Sequence, residues 1–505
     1  MKTARFGSGV GTGIKLFLIY AVPVLSVLGF RSKLEQIHDG SLDFAFTAKM
    51  YLTAFVAEFG TGYYFSRMSA RFFKPAVWVS SFVFWLVAFC YLLSYALTFN
   101  LPTESIFVTV FDTTYHHTID FFQTVSFSVY FGIVLYWGIW FYLVKTVKPP
   151  VSQKGDALFY GVLFIFFAAF CFATQWEGSF FNNARKAWES YSDLKGKIAF
   201  LLKNEKDVAF TLGSPEIPRT IIVAVGESSN RQTFNENIND FREKTAFLKT
   251  PPLVVGDAVA VSSSTALTLK KILLPDSIPL IATYKKAGFK TFWFSNHFKS
   301  GKDDNIIYAL TRNIDDRRYF NHTKTDESYE YTSQYHDDIL LAPFRQALND
   351  PAGKKLVFLH LFGSHFPYVN RYPNATERLM TEQYAASVRY TSTVLSKVLE
   401  AAEKSGQNVA MIYFSDHGTI PEMPFYRPEK GDDMLNIPMF FWFSDPYRNA
   451  FSADTERKIS CLKGPNTAEV PSLINRLANM EIAGMPVSAN ERKCFPDKQT
   501  KEIKK

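Results

Sequence analysis

The stretch Thr220-Ile221-Ile222-Val223-Ala224-Val225-Gly226-Glu227-Ser228 decides the fold. Its apolar, β-branched run lacks polar alternation and reads as a strand buried on both faces, and it stops at once on a glycine and a carboxylate. Working outward, Thr291–Phe294, Leu356–Leu361, Val409–Phe414 and Met439–Trp442 are runs of the same kind. Helix-like stretches such as Ile278–Ala287 and Thr381–Lys404 separate them. Strands alternating with helices predict a mostly parallel sheet covered on both faces. Sites in such sheets gather at the C-terminal ends of the strands.

Those ends are chemically unusual here. The first strand runs into Gly226-Glu227-Ser228-Ser229, the third into Gly363-Ser364-His365 and the fourth into Ser415-Asp416-His417-Gly418. A carboxylate at one end and an Asp-His pair at another make an N/O ligand set suited to zinc. Taken singly, a strand ending in Asp-His-Gly is equally a turn in which Asp bonds its own backbone. His297 follows the second strand and faces either an acceptor cleft or solvent. His360, within a buried strand, reads as a core histidine, and Asp337 in His336-Asp337-Asp338 as a helix cap suited to the dipole.

The N-terminal third has another character. Residues 1–175 hold 12 Lys and Arg and 8 Asp and Glu, of 55 and 47 in the whole 505-residue chain. Five apolar stretches match the roughly 20 residues a bilayer core requires: about Ile14–Phe30, Phe44–Phe65, Pro75–Phe99, Phe122–Val144 and Ala157–Gln175. Arg31 and Lys33 follow the first with no small-residue cleavage motif, so it is expected to be retained. Arg67, Arg71 and Lys74, and again Lys145, Lys148 and Lys154, mark inner loops, whereas Asn100–Phe121 has no Lys or Arg. This places everything after about residue 176 on the outer face, the periplasm of a bacterial-type inner membrane. Lys49 is expected to snorkel, and Glu58 is either functional or bonded to a neighbouring helix.

The expected organisation is therefore a five-helix transmembrane domain over 1–175, an amphipathic bridging segment over 176–213 and an α/β catalytic domain over 214–505. In the bridge, Ala184, Trp188, Tyr191 and Leu194 recur at helical spacing, on a face laid either on the membrane or against protein. Cys90 and Cys171 fall in spans. Cys461 and Cys494 both fall in the exported part, where they are expected to pair. The net charge of +8 is spread out, and no basic stripe with stacking aromatics indicates nucleic acid.

Four motifs in order, Ile221–Ser228, Ser262-Ser263-Ser264-Thr265-Ala266, His360-Leu361-Phe362-Gly363-Ser364-His365-Phe366-Pro367 and Phe414-Ser415-Asp416-His417-Gly418, resemble the phosphoethanolamine transferases of Gram-negative envelopes. That family lies in the alkaline phosphatase and sulfatase superfamily. The resemblance implies five membrane helices, a bridging segment and an alkaline-phosphatase-like periplasmic domain. It implies zinc on Glu227, Thr265, Asp416 and His417, with Thr265 also the nucleophile, since zinc lowers the pKa of a hydroxyl it binds. His365 matches the family histidine that meets the phosphoryl group or a second metal. Phosphatidylethanolamine is the implied donor and lipopolysaccharide, inner core or lipid A, the implied acceptor. The expected product is diacylglycerol and the expected state a monomer.

The chain also departs from the family. No Cys brackets Thr265, so its loop must be held otherwise, which favours inner-core sugars over lipid A. No His follows His417; Glu422, Glu429, Asp432 or Asp433 stands in for the usual downstream one, or a second metal is absent. Asp112, His116, His117 and Asp120 lie where the family places a headgroup-binding segment at the membrane face, and are either that or a solvated cap. The rival readings are a phosphoglycerol transferase acting on glucans or teichoic-type polymers, and a non-catalytic membrane scaffold. A sulfatase is disfavoured because its Cys/Ser-x-Pro-x-Arg nucleophile motif is missing around Thr265.

Overall fold

The computed structural model describes residues 14–16, 18–19, 22–23, 70–98, 106–107, 110, 125–148, 183–189, 191–192, 196, 208–298, 306–321, 335–422, 432–451 and 454–495. The chain divides near residue 190 into two compact units.

In the N-terminal unit the described pieces of the first expected span are helical. The third and fourth spans lie in the helices Ala70–Thr98 and Phe127–Thr146. The first of these starts before Pro75, so Arg71 and Lys74 sit on its opening turns rather than in a loop. Tryptophans dominate the packing. Trp85 Nε1 donates to Ile19 O (2.6 Å), Trp140 Nε1 to Ser81 Oγ (3.1 Å) and Tyr136 OH to Trp85 O (2.8 Å). Each buried or half-buried ring thus finds a partner for its one polar atom. Among the described residues Phe127–Thr146 alone is long and apolar enough to cross a bilayer, and Trp85–Leu97 is a shorter apolar stretch. Phe127, Phe131, Val134 and Tyr142 stay exposed. The spans expected at 44–65 and 157–175, with Lys49, Glu58 and Cys171, lie outside the described residues, so five spans remain an expectation. In the bridge, Tyr191 of the expected face is buried and Ala184 half-buried, Trp188 is 58% exposed with Ala187 buried beside it, and Leu194 lies outside the described residues.

The C-terminal unit is built on seven strands: β2 (Arg219–Gly226), β3 (Leu253–Val255), β4 (Lys290–Phe298), β5 (Asp316–Asn321), β6 (Lys354–His360), β7 (Val409–Ser415) and β8 (Met439–Phe443). Their spatial order is β3-β8-β7-β2-β6-β4-β5. The five strands β7, β2, β6, β4 and β5 run parallel, while β8 and β3 are antiparallel to their neighbours. A separate antiparallel pair joins β1 (Phe210–Leu212) to β9 (Met480–Ile482). β2 is buried along its whole length, as a strand with helices on both faces must be. Alternate residues serve opposite faces. Ile222, Ala224, Val357, Leu359, Met411 and Tyr413 join one core with Leu341, Phe344, Val388, Leu395 and Leu399 of the helices Leu341–Leu348 and Met380–Lys404.

Cys461 and Cys494 form a disulfide across 33 residues, and Cys90 is a free thiol. The bridge removes loop-closure entropy from the unfolded chain. Replacing both cysteines with serine is expected to cost the C-terminal unit about 2–4 kcal/mol. A denaturant titration followed by near-UV circular dichroism reads this, and an unchanged midpoint would contradict it.

Candidate active site

The site forms where three neighbouring strands end. β2 lies between β6 and β7, and the register sets Gly226 beside Ser415 and Val225 beside His360. Glu227 and Ser228, Asp416 and His417, and the turn Leu361–His365 therefore emerge together. Main-chain bonds keep them in step: Asp416 N donates to Gly226 O (3.0 Å) and Ser364 N to Glu227 O (2.9 Å). Gly363 has φ +51°, and a β-carbon there would stand 2.7 Å from both the backbone nitrogen and the backbone oxygen of Glu227. Only glycine permits this approach.

Glu227, Asp416 and His417 are buried. Thr265, the first residue of the helix Thr265–Leu273, donates its hydroxyl to Glu227 Oε2 (2.9 Å) and lies 3.5 Å from His417 Nε2. Ser228 Oγ donates to Glu227 Oε1 (2.6 Å). His417 Nδ1 is 2.7 Å from Gly418 O. A carbonyl can only accept, so Nδ1 carries a proton, and Nε2 points inward, either protonated as a donor to the carboxylates or unprotonated with its lone pair free for a cation. There Nε2 faces Glu227 Oε1 at 3.2 Å and Asp416 Oδ2 at 3.6 Å. A lone pair against two carboxylates is repulsive unless a proton or a cation stands between them.

Asp416 Oδ1 accepts from His417 N (2.7 Å) and Ser228 N (3.2 Å), while Oδ2 is buried with no hydrogen-bond partner among the described residues. Burial, reinforced by the charge on Glu227, pushes the Asp416 carboxyl up to about 7. Burial acts to raise Glu227 too, but the charge and hydrogen bond of His417, helped by His365 and His297, hold it well below the usual carboxylate range. The ligand atoms of Glu227, Asp416 and His417 lie within 4.8 Å of one another. No other such group of His, Cys, Asp or Glu is gathered among the described residues. Two carboxylates, an inward imidazole nitrogen and a hydroxyl, one carboxylate oxygen unpartnered, fit a divalent cation.

The remaining histidines shape the neighbouring turn. His365 Nδ1 donates to Phe366 O (2.6 Å). His297 stacks on His360 with centroids 3.9 Å apart and donates from Nε2 to Leu361 O (2.8 Å), so it braces the turn rather than facing solvent. His360 bonds Ser295 Oγ through Nδ1 (3.0 Å), and burial pushes its pKa down to about 4, which keeps it neutral. Asp337 and Asp338 do open a short helical turn, Asp337–Leu340, as expected, but the Asp337 side chain makes no cap bond there. Its carboxylate accepts from Phe362 N (2.7 Å), Gly363 N (2.9 Å) and Asn296 Nδ2 (2.9 Å), so it fixes the turn that carries His365. An Asp ahead of a helical run looks the same locally in either role, and only the tertiary contact tells them apart.

The loop before Thr265 is held by backbone pairing. Ala260 N donates to Leu435 O (2.7 Å) and Ile437 N to Ala258 O (3.2 Å). Glu422 is exposed. Asp112, His116, His117, Asp120, Glu429 and the side chains of Asp432 and Asp433 lie outside the described residues.

A sulfatase family model matches residues 255–463. The chain is 26% identical to phosphoethanolamine transferase EptC of Escherichia coli (strain K12), over 78% of each protein. It is 27% identical to phosphoethanolamine transferase CptA of Salmonella typhimurium, over 51% of this chain and 52% of that one. Among solved structures, the integral membrane protein lipooligosaccharide phosphoethanolamine transferase A (EptA) from Neisseria meningitidis aligns with 92% of this chain and 95% of its own, with a TM-score of 0.59 at 17% identity. That likeness is one of fold.

In metal-stripped protein Asp416 keeps a proton below about pH 7, whereas Glu227 is already ionised. A cation must displace that proton and any proton that His417 Nε2 shares with the carboxylates, so affinity is expected to fall by at least about tenfold per pH unit below 7. Calorimetric titration of zinc across this range checks the slope. An affinity indifferent to pH, or unaltered in Asp416→Asn, would remove Asp416 from the ligand set.

Proposed function

We propose that the chain is a phosphoethanolamine transferase of the alkaline phosphatase and sulfatase superfamily that moves phosphoethanolamine from phosphatidylethanolamine to an envelope glycan; the sulfatase family model over residues 255–463 and the 26% identity to phosphoethanolamine transferase EptC over 78% of each protein support this reading. Lipopolysaccharide is the acceptor of first choice. The observation that carries this reading is the Thr265 hydroxyl converging on Glu227 Oε2 and His417 Nε2 beside the unpartnered, buried Asp416 Oδ2.

A zinc ion held by Glu227, Asp416, His417 and Thr265 supplies a Lewis acid that lowers the pKa of a hydroxyl and neutralises charge on phosphoryl oxygens. The rest follows from the chain itself. Glu227 Oε2 accepts the Thr265 hydroxyl hydrogen bond, orients Oγ1, takes its proton as Oγ1 attacks and returns it when Oγ1 leaves in the second step. The start of the Thr265–Leu273 helix offers unpaired N–H groups and a positive dipole end to the incoming phosphate. Oγ1 forms the new bond to phosphorus as the bond to the diacylglycerol oxygen breaks, and His365 protonates that leaving oxygen. In the second step an acceptor hydroxyl gives its proton back to His365 and bonds phosphorus, and Oγ1 leaves. The turn fixed by Asp337 and Gly363 keeps His365 in reach of both leaving groups.

The same reading puts the enzyme in the inner membrane, multi-pass, with the catalytic unit in the periplasm. The Cys461–Cys494 disulfide fits an oxidising compartment, and the exposed apolar Phe127–Thr146 helix fits lipid.

Intact mass spectrometry of the full-length protein and Thr265→Ala, each incubated with phosphatidylethanolamine, tests this reading. One phosphoethanolamine added at Thr265 and absent from the variant is expected. A phosphoglycerol adduct would instead name the other donor class, and neither adduct nor bound zinc would favour the non-catalytic scaffold.

A further inference from the structure

We propose that Thr467 is a positioning residue for Thr265, through a strap of residues 465–467 that clamps the loop delivering it; the proposal rests on the reading of Thr265 as nucleophile. Val259 N donates to Pro465 O (3.0 Å), and Thr467 N donates back to Val259 O (2.9 Å). The Thr467 hydroxyl then accepts from Val261 N (2.8 Å), four residues before Thr265. Thr467 is fully buried and Val261 half-buried, so losing the hydroxyl takes from Val261 N its partner on the protein side.

The strap is itself anchored. Asn466 and Glu469 form a reciprocal capping box at its exit. Glu469 Oε2 accepts from Ser488 Oγ (2.8 Å), and Ser488 caps the short helix Ala489–Cys494. On that helix the buried Glu491 accepts from Arg476 Nε (3.1 Å) and from the Ser472 hydroxyl. Cys494 at its end is bonded to Cys461, four residues before the strap begins. The loop before Thr265 thus has a hydrogen-bonded clamp whose own frame is closed covalently. This is how the chain holds that loop without a cysteine in it.

Removing the Thr467 hydroxyl frees Val261 N and lets Oγ1 drift from its partners, and misplacement by about 1 Å costs on the order of 100-fold in rate. The test compares Thr467→Val with Thr467→Ser in the full-length protein. It reads the rate of Thr265 loading from phosphatidylethanolamine vesicles, the KM for donor, zinc content and amide hydrogen exchange. For Thr467→Val we expect loading slowed about 10- to 100-fold, with donor KM and zinc content unchanged. Exchange should quicken at 258–265 and not along β2, and Thr467→Ser should restore both rate and protection. Cys461→Ser with Cys494→Ser, which keeps every strap-to-loop bond, should give a smaller change at the same amides.

Wild-type loading and exchange in Thr467→Val would overturn the proposal. So would a loss that serine does not rescue, or faster exchange spread over the whole sheet, because either marks a general loss of stability. Full transfer by Thr265→Ala would instead overturn the nucleophile reading, and the exchange at 258–265 would then decide alone whether Thr467 holds the loop.

Discussion

Two carboxylates buried side by side at the ends of adjacent parallel strands are the constraint to which everything around them answers. Charge in a low-dielectric interior is costly unless it is paired and hydrogen-bonded. Here the register of β2 against β7 leaves Glu227 and Asp416 no room to part. Glu227 is stabilised as the anion by Ser228, Thr265 and His417. Asp416, with one oxygen satisfied and the other not, takes a proton or a cation. Placing the two side by side drives their pKa values apart. It also makes the pocket selective for a positive charge before any substrate arrives.

Around that centre the fold supplies rigidity from three directions. Asp337 grips the turn after β6, and Gly363 lets that turn press its backbone against Glu227. Arg371 lies over the Phe362 ring, with its guanidinium carbon 3.8 Å from the ring centroid, which stiffens the same turn from behind. Tyr384, on the long helix Met380–Lys404, accepts from Asn230 N (2.7 Å) and donates to Ser228 O (2.8 Å). The segment after β2 is thereby tied to the opposite layer. Groups that must sit within a few tenths of an ångström are thus carried by the sheet ends and not by free loops.

The central strands could be read from sequence because a strand buried on both faces leaves an uninterrupted apolar run, and all five such runs are strands in the fold. β5, Asp316–Asn321, could not, since its charged, half-buried residues occupy the sheet edge and carry no such run. Nor could the three-residue β1, β3 and β9. The meeting of Glu227 with Asp416 and His417 follows once two strand ends are set next to each other. What sequence hid is whatever depends on distant contacts: the turn-gripping role of Asp337, the stacking of His297 on His360, and Thr467 reaching Val261. The helices Ala70–Thr98 and Phe127–Thr146 were legible by composition, which sets length and apolarity but says nothing of partners such as Trp85 with Ile19.

β2, β6 and β7, whose ends carry the cluster, are interior strands of the sheet and not its margins. Pulling Glu227 away from Asp416 therefore means tearing the middle of the fold, and whatever binds between them is linked by mass action to the folding equilibrium of the entire unit. Each tenfold rise of such a ligand above its dissociation constant adds about 1.4 kcal/mol against unfolding. Losing such a ligand would shift the folding equilibrium of the whole unit toward its open form, which is the form that proteases cleave.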